Sequence, residues 1–399
     1  GHRQYLANIS SISSSRQAHY LVISSSRYPC AMNSRKLNDQ FGLSHLINSI
    51  FSSLNLADTN DYLSLGQGQM RECVVLIDGM GQDAINKFAD QFSIFEELKQ
   101  IKTIYTDFPS TTATSISTLG TGVLPGLHGM LGYTVRVPRS DNRLLNALKW
   151  DERVDPVIWQ KVPTMFERAV NAGISVTHVA AKRYEGSGFT QAALRGAKYV
   201  GANSIEEMVT AVHLALKPQP SFVYTYLNNL DSAGHSDGVG SDKWLTAFEY
   251  ISEFITKIKQ SAPAGTRIWI TSDHGMINST EQIILGQDNK LLENVTLIGG
   301  EPRARHIYVE AGALAETITH WQEFFGDKAK ILSRQDAITT GLFGPVVTQD
   351  SSDRMGDLIA IANGDLILVD PARVKEETSM VGHHGGVTDT EVAIPLLLT

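Results

Sequence analysis

Short β-branched runs alternate along this chain with longer stretches whose apolar residues recur every three or four positions. Cys73-Val74-Val75-Leu76-Ile77 is the first clear short run and ends at Asp78-Gly79. An uninterrupted apolar segment of this length reads as a parallel strand buried on both faces. The pattern then predicts a helix from about Gln82 to Lys99, a strand over Lys102–Tyr105 and a helix over Thr112–Leu119. Helix Pro163–Asn171, strand Ile174–Ala180, helix Ile205–Leu216, strand Phe222–Leu227, helix Trp244–Ile258 and strand Arg267–Thr271 are expected to follow. Such alternation predicts an α/β fold with a doubly wound, mostly parallel sheet sandwiched by helices.

Between about 278 and 381 the rhythm changes. Pro302–Glu310 and Asp357–Val369 read as strands of a mixed, partly antiparallel region, an inserted cap on the main sheet, before Val392–Leu398 returns to the core. Residues 1–69 are expected to form an N-terminal arm with a helical lead-in over Leu37–Leu56, and 70–399 the main domain that carries the cap. No internal repeat is present.

Composition narrows the function classes. With 42% apolar and 19% charged residues the 399-residue chain has ample material for a core. A net charge of −8 disfavours a partner such as a nucleic-acid polymer, whose backbone is tracked by Lys and Arg. Small phosphorylated substrates stay open, because bound cations reverse the local field. The two cysteines, Cys30 and Cys73, lie far apart and outside any CxxC arrangement, which argues against a disulfide framework or a thiolate site. No apolar run approaches the roughly 18–20 residues that span a bilayer, and no export signal is readable, so the expected location is cytoplasmic.

The candidate chemistry lies where acidic and imidazole groups fall against the predicted strands. Asp78, Asp231 and Asp273 each sit at or just beyond the C-terminal end of a strand, the edge at which open parallel sheets bind ligands. Asp231-Ser-Ala-Gly-His235 places a carboxylate and an imidazole four residues apart in what reads as a glycine-containing loop, and Asp273-His274-Gly275 places them side by side. His383-His384-Gly385-Gly386 supplies further imidazole. Any one of these is more simply a helix cap or a polar turn; their convergence at one sheet edge points to divalent metal. Oxygen and nitrogen donors without thiolate suit zinc, and also manganese or iron.

Pro109-Ser-Thr-Thr112-Ala-Thr114-Ser opens a helix of small residues after a strand. A helix N-terminus offers free N–H groups to phosphoryl oxygens, and a hydroxyl there becomes a nucleophile once its pKa is lowered. Taken alone, these hydroxyls are caps and packing residues. His128 reads as structural. Neither GxGxxG, GxxxxGK[ST] nor GxSxG occurs in the required context.

In their order, Asp78-Gly, Pro-Ser-x-Thr112, Asp231-x3-His235, Asp273-His274-Gly-Met and His384-Gly resemble the alkaline phosphatase superfamily, and within it the type I phosphodiesterase/nucleotide pyrophosphatase family. The resemblance runs from about Cys73 to the C-terminus. It implies two divalent metals, zinc above all, one surrounded by Asp78, Thr112, Asp273 and His274 and the other by Asp231, His235 and His384. It also implies that Thr112 attacks phosphorus and forms a covalent phosphothreonine, on a small phosphorylated substrate such as a nucleotide. Where nucleotide-cleaving members carry a phosphate-contacting asparagine, this chain has Leu131-Gly132-Tyr133, with Tyr133 the available O–H donor. That departure keeps a phosphomonoesterase or phosphonate-cleaving relative open. From a different class, a metal- and phosphate-binding protein without turnover would keep the same ligands.

Overall fold

The computed structural model describes residues 40–399. Residues 1–39, which hold most of the expected arm, Cys30 and the start of the helix expected over 37–56, lie outside the described residues. The elements that position the site begin with helix α1 (Leu43–Ser53), strands β1 (Arg71–Ile77) and β2 (Lys99–Tyr105), and helix α2 (Thr112–Thr121). Strands β3 (Ser175–Ala180) and β4 (Lys198–Gly201), helix α3 (Ile205–Ala215), strand β5 (Ser221–Leu227), helices α4 (Asn229–Asp237) and α5 (Asp242–Ser261), and strand β6 (Thr266–Thr271) follow. Then come strands β7 (Val295–Ile298) and β8 (Ala304–Val309), helix α6 (Leu314–Phe325), strands β9 (Ala329–Ser333) and β10 (Leu358–Ala362), and β11 (Ala393–Leu398).

The main sheet has the order β2-β11-β6-β1-β5-β3-β4. Strand β1 pairs in parallel with β5 and β6, and β3 pairs in parallel with β5 and β4. Strand β11 alone runs against its neighbours β2 and β6. Successive side chains of a strand point to opposite faces, which explains the unbroken apolar run of β1. Val74 and Leu76 enter a core with Leu46, Ile50 and Phe51 of α1 and with Ile116 and Leu119 of α2. Cys73, Val75 and Ile77 enter a second core with Trp244, Phe248 and Phe254 of α5 and with Met208 of α3. Both faces are therefore covered, as the sequence pattern predicts.

The region after β6 builds a separate four-stranded antiparallel sheet, β7-β8-β10-β9, with Trp321 and Phe325 of α6 packed on Leu358, Ala360 and Ala362. The run expected as strand over Asp357–Val369 is broken at Asn363-Gly364-Asp365, and Leu366–Val369 leaves to pair in parallel with Glu281–Ile284. The helix expected over Gln82–Lys99 is also shorter. It closes at Phe88, two 3₁₀ turns cover Ala89–Gln91 and Ser93–Glu97, and Lys99 already belongs to β2. The tighter turns aim Phe92 and Phe95 at Phe248, with ring centroids 4.8 and 5.2 Å apart.

One buried ion pair joins the antiparallel region to the main body. Arg303, in the turn entering β8, grips Glu391 with Nε–Oε1 and Nη2–Oε2 contacts of 2.9 Å each, and neither side chain is exposed to solvent. Glu391 also accepts the Gly386 N–H at 3.0 Å and the Thr388 hydroxyl at 2.8 Å, so the pair sets the turn that follows His384. Removing one partner of such a pair leaves a buried charge uncompensated. Arg303→Met is expected to lower unfolding free energy by about 3–5 kcal/mol, measured by chemical denaturation; an unchanged midpoint would show that the pair does not hold the two regions together.

Candidate active site

Three parallel strands end side by side, and each delivers a carboxylate. Register pairs Ile77 of β1 with Leu227 of β5, and Leu76 with Thr271 of β6, so the residues that follow are carried to one edge. Asp78 comes directly after β1 and Asp273 two residues after β6. Asp231 arrives differently from the expected loop: Asp231 and His235 lie in helix α4, four residues apart on one face. Gly234 permits that helix because a Cβ there would come within 2.3 Å of the Met276 sulfur. Sequence inspection takes glycine for a loop signal; here it makes room for packing.

The aspartates and histidines converge. His274 Nε2 lies 3.2 Å from Asp78 Oδ1 and 3.4 Å from Asp273 Oδ2. His235 Nε2 is 3.3 Å from Asp231 Oδ2, and His384 Nε2 is 3.6 Å from Asp231 Oδ1. Two donor groupings result, Asp231/His235/His384 and Asp78/Asp231/His274, with Asp231 common to both. The Asp78–Asp273–His274 side is sealed from solvent, whereas Asp231, His235 and His384 are partly open. That opening is the way in.

Each of the three histidines is anchored by its other nitrogen. His235 Nδ1 donates to the Gly382 carbonyl, His274 Nδ1 to that of Gly275 and His384 Nδ1 to that of Ser110, all at 2.8 Å. Such bonds put the proton of the neutral imidazole on Nδ1 and aim Nε2 at the cluster, the second-shell arrangement of metal-binding imidazole. His383 is different. Its Nδ1 meets the Ser279 hydroxyl at 3.0 Å and its Nε2 the Glu377 carbonyl at 3.1 Å, so both nitrogens are occupied. Of the two adjacent imidazoles, only His384 faces the cluster.

The electrostatics call for cations. Burial, then the charges of Asp231 and Asp273, drive the Asp78 carboxyl well above its ordinary range. Burial opposes charge on His235 and His274, but the neighbouring aspartates overcome it and push the imidazoles up to about 9 and about 10. Burial and His274 hold His384 well below its usual value; the two rings stack with centroids 3.5 Å apart. Asp273 Oδ1 accepts the N–H groups of Gly79 and His274 at 3.1 and 3.0 Å. Among the described residues, Asp273 Oδ2 and Asp231 Oδ1 are buried with no hydrogen-bond partner. Orphaned carboxylate oxygens facing oriented imidazoles fit divalent metal, whose binding displaces the protons held on the histidines.

Thr112 opens helix α2. Its hydroxyl does not cap the helix but points into the cluster, 3.2 Å from His274 Nε2 and 3.4 Å from both Asp78 oxygens. The first N–H groups of a helix have no partner within it, which leaves donors for an anion beside that hydroxyl. Ser110 ties this turn to the one carrying His384: its hydroxyl donates to the Gly386 carbonyl at 2.8 Å and accepts the Gly385 N–H at 3.0 Å.

Tyr133 is half-buried. Its N–H donates to Glu301 Oε2 at 2.9 Å and its ring lies 5.7 Å from the Arg373 guanidinium. Among the described residues none of its hydrogen bonds reaches the cluster. His128 is structural, as expected: it is buried and bonded to the Thr118 hydroxyl at 2.9 Å and the Met130 N–H at 3.1 Å.

Two neighbours carried no legible signal. Tyr226 of β5 donates its hydroxyl to Asp78 Oδ2, yet in the sequence it is one aromatic residue in a buried strand. Glu301 is buried beside Gly132 and Gly385 with Oε1 unpartnered, and burial raises its carboxyl to about 7. A single glutamate in a polar stretch offers no spacing to read.

Comparison with known proteins identifies the fold and the family. Among solved structures, murine ectonucleotide pyrophosphatase/phosphodiesterase 5, an inactive form in complex with AMP, is similar with a TM-score of 0.64 at 15% identity, over 82% of this chain and 87% of that one. The human counterpart gives 0.63 at 16% identity, over 82% and 87%. Phosphonoacetate hydrolase from Sinorhizobium meliloti 1021, in complex with phosphonoacetate, gives 0.62 at 16%, over 83% and 90%. No curated protein matches the chain. The sequence model of the type I phosphodiesterase/nucleotide pyrophosphatase family matches residues 73–387, most of the chain. With that match, and a fold and site of the kind just described, the chain belongs to the type I phosphodiesterase/nucleotide pyrophosphatase family of the alkaline phosphatase superfamily, metal-dependent hydrolases of phosphoric esters and anhydrides.

Proposed function

We propose that this protein is a phosphodiesterase/pyrophosphatase that uses Thr112 as nucleophile and passes through a phosphothreonine. The observation that supports the reading best is the placement of the Thr112 hydroxyl 3.2 Å from His274 Nε2 and 3.4 Å from both Asp78 oxygens, at the first turn of α2. In the reading, Asp78, Asp273 and His274, with Thr112, hold one divalent ion, and Asp231, His235 and His384 hold the other. Zinc is the expected metal, with manganese or iron as alternatives. When bound, the pair supplies Lewis-acid charge that lowers the pKa of the attacking hydroxyl and neutralises charge on the phosphoryl oxygens.

The chain's own groups then act in order. The N–H groups opening α2 hold a non-bridging oxygen, and the Thr112 oxygen attacks phosphorus in line. The Oγ1–P bond forms as the bond from phosphorus to the leaving oxygen breaks, and the proton released from the Thr112 hydroxyl passes through solvent to the leaving oxygen. Water later attacks the phosphothreonine from the side vacated by the leaving group and returns the threonine hydroxyl. Tyr226 keeps Asp78 oriented throughout, and the backbone N–H groups of Gly79 and His274 keep Asp273 in place.

A phosphomonoester or phosphonate substrate is the second reading. It is favoured by Leu131-Gly132-Tyr133, which brings no side-chain amide to the phosphoryl site. AMP in one fold neighbour and phosphonoacetate in another are both small phosphoryl compounds, consistent with either choice.

Hydrolysis of a nitrophenyl nucleotide diester and a nitrophenyl monoester, with and without chelator, separates the two. Chelator-sensitive diester cleavage is expected, and monoester cleavage alone would transfer the proposal to the second reading. Thr112→Ala is expected to lose at least about two to three orders of magnitude in kcat with zinc still bound. Turnover near the wild-type rate would remove the nucleophile role. For the ligand set, His384→Ala is expected to weaken zinc binding by more than about tenfold in competition with a chromogenic chelator. His383→Ala should lower thermal stability with a much smaller effect on zinc, and the opposite ranking would reassign the ligand.

A further inference from the structure

The turn that enters β8 buries a carboxyl group between the loops that surround the cluster. Glu301 is locked at the backbone: its N–H donates to the Ala304 carbonyl at 2.9 Å, and its own carbonyl accepts the Ala304 N–H at 3.0 Å. The Gly300 N–H just before it donates to the Thr134 carbonyl at 2.6 Å. Two glycines leave room for the side chain. A Cβ on Gly385 would stand 2.8 Å from Glu301 Cγ, and one on Gly132 would stand 3.2 Å from Oε2. Gly385 follows His384 and Gly132 precedes Tyr133, while Thr111, one residue before Thr112, is a third neighbour. The carboxyl therefore sits where the turns of Thr112, Tyr133 and His384 meet.

Only half of this carboxyl is used by the protein. Oε2 accepts the Tyr133 N–H at 2.9 Å, whereas Oε1 is buried and, among the described residues, has no hydrogen-bond partner. The nearby cations are committed elsewhere. Arg303 is paired with Glu391, and Arg305 with Glu377 and the Leu368 carbonyl. His306, whose ring lies beside Gly132, spends its two nitrogens on the Leu131 carbonyl and the Gly356 N–H. Burial raises the Glu301 carboxyl to about 7, against the opposing pull of the Tyr133 N–H, Arg305, His274 and Thr111. A protonated carboxyl is a donor, which an ionised one is not. A buried polar atom without a partner in the protein calls for one from outside it. In this place the acceptors at hand are the oxygens of a phosphoryl group seated between the first turn of α2 and the His384 turn.

We propose that Glu301, in its protonated form, donates a hydrogen bond from Oε1 to a non-bridging oxygen of the phosphoryl group. The inference rests on the phosphohydrolase reading above, which seats that group at the opening of α2. Tyr133 then serves through its backbone, whose N–H fixes the carboxyl, and the antiparallel region contributes a substrate contact of its own. An ionised Glu301 would repel the same anion, so affinity falls as pH rises through the value at which the proton leaves. Bound cations lower that value and a bound phosphoryl anion raises it, so the loss is assigned by comparing wild type with Glu301→Gln.

The probe is α,α-difluorobenzylphosphonate, whose second ionisation lies below neutrality and whose P–C bond is not an ester. It is titrated calorimetrically into the zinc-loaded protein on both sides of neutral pH. Wild type is expected to lose at least about tenfold in affinity on the basic side, the worth of one hydrogen bond to a charged group. Glu301→Gln keeps an acceptor for the Tyr133 N–H and presents a permanent amide donor, so it should hold its affinity over the same range. Glu301→Leu has neither, and is expected to bind about tenfold more weakly than wild type on the acid side at unchanged zinc content. A Glu301→Leu protein that matches wild type in affinity and pH dependence would show that Glu301 does not touch the ligand. A loss on the basic side that Glu301→Gln retains in full overturns the proton's role, as does a wild-type affinity that is flat with pH. If Glu301→Leu does not fold, the comparison of wild type with Glu301→Gln decides alone. Absence of binding by the zinc-loaded wild type overturns this inference and the phosphoryl reading together.

Discussion

Three carboxylates gathered at one sheet edge, Asp78 and Asp273 buried and Asp231 partly open, are the constraint that the rest of this structure serves. Removing a carboxylate from water is costly without compensation, and placing a second and third beside it adds repulsion. The burial-driven rise of Asp78 registers that cost. Relief comes from N–H groups on Asp273, a tyrosine hydroxyl on Asp78 and imidazoles on Asp231, each supplied by a different stretch of chain. The oxygens that remain, Asp273 Oδ2 and Asp231 Oδ1, are what the protein does not satisfy. The parallel alignment of β1, β5 and β6, and the covering of both sheet faces, make such a gathering affordable because they leave the backbone at that edge no freedom to relax apart.

Much of this was legible in the order of residues, for physical reasons that differ by element. A strand buried on both faces must be apolar throughout, so Cys73–Ile77 announces itself, and a carboxylate placed directly after it is noticeable because nothing in the core needs it. The helical setting of Asp231 and His235 was not legible. A glycine four residues into a polar stretch points locally to a loop, and only the Met276 sulfur pressed against Gly234 shows why the chain is helical there. The choice between His383 and His384 is likewise invisible in sequence, since it depends on which ring finds carbonyl and hydroxyl partners for both nitrogens. Glu301 and Tyr226 belong to a third kind: lone residues without spacing or pattern, whose meaning comes entirely from what folds against them.

The Thr112 turn and the His384 turn behave as one unit. Ser110 exchanges backbone and side-chain bonds with Gly385 and Gly386, while Glu391 holds Gly386 from the far side and is itself held by Arg303. A hydroxyl, an imidazole and the entry to the antiparallel sheet are thereby coupled through a short chain of directed contacts. Geometry at the cluster accordingly depends on segments that share no local sequence with it.

Strand β11 carries a consequence for how the molecule is made. It lies between β2 and β6, and β2 joins the sheet through β11 alone. During synthesis, β2 leaves the ribosome before β11 and waits without its one strand neighbour among the described residues while the antiparallel region is translated. A polypeptide that has already produced Asp78, Thr112, Asp231, His235, Asp273 and His274 still has a sheet with a gap in it. Completion of the sheet is thus postponed until β11 has been made, and a product stopped before it is left with an exposed strand edge, a natural target for chaperones and proteases.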